Sequence, residues 1–129
     1  MGIINETGAK LILGSEEYRI LFTIGAIEKI EDETGESIDS LSDLLFVKKD
    51  DTKRVNFRNV GKIAHILVNE SIDIASDKSG EKPEHISLER IKRMISNANI
   101  AECIQAIISA YNLSFMEEDD ESPQMSGQS

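Results

Sequence analysis

The sequence predicts an α+β fold, with an N-terminal β-hairpin packed on a bundle of four to five α-helices and a disordered acidic C-terminal tail. Three observations lead there. Apolar residues alternate with period 2 as far as Phe22 and recur at helical spacing from Thr23 onward. A residue able to cap a helix stands before most of the helical stretches. After Phe115 the chain turns to MEEDDESPQMSGQS, with five acids, no base and little to bury. A chain of 129 residues then holds one domain, residues 1–116, and a tail, residues 117–129. The apolar fraction of 40% supplies a core, and with 5% aromatics and no Trp that core is aliphatic.

In order along the chain, KLILGSEEYRILF (residues 10–22) has two short apolar runs around a break opened by Gly14, which reads as a hairpin at about residues 9 to 22. Strands are expected nowhere else. Thr23 caps a first helix carrying Ile24, Ile27 and Ile30 on one stripe, and Gly35 closes it. Ser37 opens SIDSLSDLLF, a short amphipathic helix with Ile38, Leu41, Leu44 and Leu45 inward, ending near Phe46. KKDDTKR, residues 48–54, offers nothing to bury and reads as an exposed loop. Asn56 caps a third helix over FRNVGKIAHILVNESIDIA, with Val60, Ile63, Ala64, Leu67 and Val68 on one face despite the cost of Gly61. SDKSGEKPEH, residues 76–85, is a flexible connection. Ser87 caps a helix with Leu88, Ile91, Met94 and Ile95 inward. Asn99 and Glu102 are then spaced as a capping box for the last helix, whose stripe is Ile100, Ile104, Ile107, Ile108 and Tyr111.

Charge narrows the function classes. The net charge is −10, and the run from Glu117 to Glu121 carries half of it, leaving a mildly acidic body. Bulk electrostatics therefore disfavours nucleic acid and anionic membranes as partners. No run approaches the roughly 20 apolar residues of a membrane span, and MGIINETGAK lacks a signal-peptide pattern, so a cytoplasmic protein is expected.

No catalytic or cofactor constellation emerges, and the sequence reads as non-enzymatic, with no metal and no cofactor. His65 and His85 stand far apart, and with Cys103 they fall short of a zinc ligand set. Cys103 lies beside the apolar stripe of the last helix without a neighbouring cation, as an inert thiol would. Glu28, Glu31, Asp32, Glu33 and Glu36 lack the ligand spacing of a calcium loop. The one basic neighbourhood is Lys48, Lys49, Lys53, Arg54, Arg58 and Lys62, a candidate docking patch for an acidic partner, with the chain's own acidic tail as a candidate intramolecular occupant.

The order of these features is more specific than any one motif. A hairpin KLILGSEEYRILF runs directly into T-I-G-A-I-E-K-I-E (Thr23 to Glu31) and Gly35. SIDSLSDLLF, NFRNVGKIAHILVNES and ISLERIKRMISNANIAECIQAIISAYNLSF follow. Over about residues 10 to 115 the chain resembles the phage tail assembly chaperones, in particular those similar to the small tail protein of gene transfer agents. The polar connection at residues 76–85 departs from that pattern.

The resemblance implies a phage or prophage protein of the host cytoplasm, absent from the mature virion. Such a protein coats the hydrophobic tape measure protein, in several copies, and helps to recruit tail tube protein. It also implies that the acidic tail is where a frameshifted extension would join. A small acidic DNA mimic or inhibitor is the alternative, and it would need carboxylates at phosphate-like spacing on one face.

Overall fold

The computed structural model describes residues 8–116, and its fold is α+β. The expected disorder of residues 117–129 lies outside the described residues.

Strands β1 (Ala9–Leu13) and β2 (Glu16–Ile20) pair antiparallel, with Ala9 opposite Ile20 and Leu13 opposite Glu16. Gly14, at φ 65°, occupies the first position of the two-residue turn, where a type II′ turn needs a positive φ that glycine adopts without steric cost. Ala9, Leu11 and Leu13 point into the core, while Lys10 and Ile12 face out, the two-residue period of a half-buried strand.

Helix α1 (Ile24–Thr34) starts where Thr23 accepts a hydrogen bond from the Ala26 N–H and stops at the left-handed Gly35, as the sequence predicts. Its buried stripe is shifted, however. Ala26 and Ile30 are buried, Ile27 is half-buried, and Ile24 is 78% exposed because it occupies the first turn, beyond the edge of the packed face. A 3₁₀ turn (Ile38–Ser40), capped by Ser37, leads into α2 (Leu41–Leu45).

The segment expected to be a loop is a second hairpin. β3 (Phe46–Lys49) and β4 (Thr52–Val55) pair antiparallel, with Lys48 opposite Lys53 and Val47 opposite Arg54. Asp50 and Asp51, at φ 52° and 66°, form the two left-handed positions of a type I′ turn, whose twist matches that of the strands it joins. Asp is among the few non-glycine residues that visit this region readily.

Helix α3 (Phe57–Ser79) is the axis of the domain. Asn56 caps it through the Asn59 N–H, and Val60, Ile63, Ala64, Leu67 and Val68 are fully buried, as their spacing requires. It runs four residues beyond the predicted stretch, because nothing in Ser76–Ser79 breaks a helix before Gly80 adopts the left-handed cap. α1, α2, β2, α4 and α5 all pack on it. The predicted flexible connection shortens accordingly and is fastened to the helix. The Asn69 side chain accepts from the Ile86 N–H (2.8 Å) and donates to the Ile86 carbonyl (2.9 Å).

α4 (Leu88–Met94) is capped by Ser87. α5 (Ile100–Tyr111) is not entered through a capping box. The Asn99 side chain turns back, accepting from the Ser96 N–H and donating to the Met94 carbonyl, so it braces the loop before the helix. The face of α5 buried against β1 and α3 comprises Cys103, Ile104, Ala106, Ile107 and Ala110, while Ile100, Ile108 and Tyr111 are half-buried at its margin. A π-helical turn (Asn112–Met116) follows, where Tyr111 and Phe115 pack their rings against Phe22 and the Ser114 hydroxyl accepts from the Phe22 N–H. Among the described residues no buried side chain is polar or charged, so the core rests on apolar burial, almost all of it aliphatic.

Candidate functional site

Two surfaces stand out, and the sequence located one of them. Of the predicted docking residues, Lys48, Lys49, Lys53 and Arg54 are gathered on the β3–β4 hairpin, all exposed. Phe46 lies beneath the Lys53 ammonium, 4.9 Å from ring centroid to Nζ, a cation–π contact. Arg58 stands in the first turn of α3, close in sequence to the hairpin. Lys62, one turn further on, is drawn away: its ammonium donates to the Glu33 carbonyl at the end of α1 (3.1 Å). The patch is therefore a hairpin with Arg58 at its base, and Lys62 belongs instead to a cleft of about 300 Å³ shared with Lys29, Asp32 and His65.

The second surface is a groove of about 630 Å³ between β1 and α5. Gly8 to Ile12 and Arg19 form its strand side; Glu102, Gln105, Ala106, Ser109 and Leu113 form its helix side. Two large apolar side chains remain exposed here, Ile12 at 54% and Leu113 at 40%, while Ala106 and Ser109 are too short to fill the space between the walls. Sequence reasoning passed over it because β1 and α5 lie some ninety residues apart and neither stretch is unusual alone. The available signal was Ile12, an apolar residue in the outward register of a strand whose inward positions are Leu11 and Leu13.

The remaining candidates have structural roles. The Cys103 thiol is buried, and desolvation raises its pKa from 9.0 to about 11, which keeps it protonated and unreactive. Tyr18 is half-buried, and its phenol is raised above 10.0 by burial and by Glu16, with Arg90 opposing. His85 pairs through Nε2 with the Asp73 carboxylate at 2.6 Å on the surface. Within the acidic run of α1, Glu31 accepts from the Ile38 N–H (2.9 Å) and so fastens the turn after the helix, a role its spacing did not announce. Among the described residues no three His, Cys, Asp or Glu side chains come together as a metal site would require. No helix among them is long and apolar enough to cross a membrane.

No family model, no curated protein and no solved structure matches this chain.

Proposed function

We propose that this protein is a non-enzymatic phage or prophage tail assembly chaperone that holds the tape measure protein and helps to bring tail tube subunits to it. The observation that carries the reading is the β1–α5 groove: an open, largely apolar trough with Ile12 and Leu113 exposed at its walls. A monomeric protein gains nothing from exposing apolar walls together, whereas a partner helix laid in the trough buries them through side chains one turn apart. Lys10 and Arg19 on the strand side and Glu102 on the helix side supply charges of both signs to set the partner's direction. Apart from the β3–β4 hairpin, which the resemblance did not include, the order of elements supports the same reading: a hairpin entering a helix at Thr23, a short helix, a long helix, then a terminal helix pair. The identity of the partner comes from the resemblance and its mode of binding from the groove.

The test is co-expression with the tape measure protein encoded beside it. The wild type is expected to keep that long protein soluble in a complex containing several copies. Ile12→Asp combined with Leu113→Asp changes two exposed side chains, so it is expected to preserve the circular dichroism spectrum while abolishing the complex. A tape measure protein that stays equally insoluble with and without the wild type refutes the proposal.

A further inference from the structure

The β3–β4 hairpin carries an arrangement that local stability does not favour. Lys48 and Lys53 face each other directly across the strands, and like charges placed so are destabilising in an isolated ribbon, while Lys49 and Arg54 carry further positive charge on the other face. None of these four cations forms an ion pair among the described residues. The hairpin meets the body chiefly through α2 and through Phe46 and Val55 at its base, and Val47 is 43% exposed on it. A cationic arm of this kind, on a chain of net charge −10, is complementary to one feature of the same sequence, the five carboxylates from Glu117 to Glu121.

The chain's own geometry decides which copy supplies them. The end of the described chain is held at one pole, since Phe115 packs on Phe22 and Ser114 accepts from the Phe22 N–H. The next residue, Thr23, donates from its hydroxyl to Glu70 of α3 (2.7 Å). The hairpin joins the other pole, where the Asn56 N–H at the start of α3 donates to the Leu45 carbonyl (2.8 Å). From Asn56 to Glu70, α3 rises about 21 Å at 1.5 Å per residue. Beyond Met116 a fully extended chain reaches roughly 10 Å at Asp119, the middle of the acidic run, and roughly 18 Å at Glu121. Pairing within one copy would hold the run at nearly full extension along the length of α3, at a cost in conformational entropy, so pairing between copies is favoured over the intramolecular pairing expected from the sequence.

We infer that residues Glu117–Glu121 of one copy dock on the Lys48, Lys49, Lys53 and Arg54 hairpin of a second copy. With the end of the described chain and the hairpin at opposite poles, the contact is head-to-tail, and repetition generates rows or rings of copies rather than a closed two-fold dimer. The association needs no tape measure protein, so it stands or falls separately from the chaperone reading.

Sedimentation velocity of the full chain tests it, from about 10 µM to about 1 mM. The wild type is expected to form species that grow with concentration at an ionic strength of about 0.05 M and revert to monomer at about 0.5 M. Two variants each remove one pole. Lys53→Glu with Arg54→Glu reverses the hairpin. Glu117→Gln, Glu118→Gln, Asp119→Asn, Asp120→Asn and Glu121→Gln together neutralise the acidic run without touching any described residue. Each variant alone is expected to self-associate at least about tenfold more weakly than the wild type. An equimolar mixture of the two is expected to stop at two chains, because only one hairpin and one acidic run remain matched. A wild type that stays monomeric throughout overturns the inference. So does a hairpin variant that associates as the wild type does, or a hairpin that retains a short DNA duplex while the protein stays monomeric.

Discussion

Replacing Ile107 with Ala probes the packing of the last helix against β1 and α3. Ile107 has no exposed surface and lies in a core with no buried polar side chain among the described residues, so the cost is one of burial and packing. The substitution removes three carbon groups, worth about 0.8 kcal/mol each in transfer, or about 2.4 kcal/mol. If the neighbours relax only partly and leave a void of about 50 Å³, a further 1.2 kcal/mol or so is lost at about 24 cal/mol per Å³. The sum, about 3.6 kcal/mol, is a large share of the roughly 5–15 kcal/mol expected for a domain of this size. Urea denaturation followed by far-ultraviolet circular dichroism is the suitable assay, since the chain has no Trp to report by fluorescence. At an m-value of about 1.5 kcal/mol/M, the midpoint is expected to fall by about 2.4 M. Two controls rank the same chemistry by exposure: Ile108→Ala, at the half-buried margin, should cost about half as much, and Ile24→Ala, 78% exposed, almost nothing. If Ile107→Ala and Ile24→Ala agree within about 0.5 kcal/mol at unchanged m, the packing argument for α5 is wrong.

Two further outcomes follow from particular contacts. Because the folded state raises the Cys103 pKa from 9.0 to about 11, stability is unaffected by this group below pH 9, where both states keep the proton. As pH rises from 9 to 11 only the unfolded thiol ionises, so stability falls, by at most about 2.7 kcal/mol; the excess loss relative to Cys103→Ala, measured by denaturation at each pH, isolates it, and identical pH profiles would contradict the assignment. Gly61→Ala is expected to stabilise by about 0.5–1 kcal/mol, because the added Cβ meets only Lys92 Cγ at 3.5 Å, an ordinary contact, while α3 gains helix propensity; a lower melting temperature would show that α4 cannot accommodate it.

The parts of the fold that the sequence made legible are those governed by neighbours along the chain. Thr23 and Gly35 bound α1 because the capping hydrogen bond and the left-handed stop involve residues within four positions. The buried face of α3 follows from spacing alone, since a long helix on the domain axis is covered on the side its apolar residues mark. Asn99 shows where this logic stops: spaced for a capping box, it serves the preceding loop, because its side chain can satisfy Ser96 and Met94 at once.

The candidate sites were less legible, and for two different physical reasons. The groove exists only once β1 and α5 are brought together, so no local pattern encodes it; what the sequence held was Ile12 in the outward register, visible only after the hairpin is folded. The β3–β4 hairpin was hidden because its strands are four residues long, half charged, and joined by Asp50-Asp51 rather than by the Gly-containing pairs that signal a type I′ turn. These are also the places where the chain departs from what local stability favours. A single exposed apolar residue such as Ile24 needs no explanation, since most protein surfaces carry some. Ile12 and Leu113 differ because they wall the same groove, and Lys48 and Lys53 differ because they stand directly opposite each other on the ribbon. Where unfavourable features coincide in space, a compensating interaction from outside the folded chain is what the proposed helix in the groove and the proposed contact between copies supply.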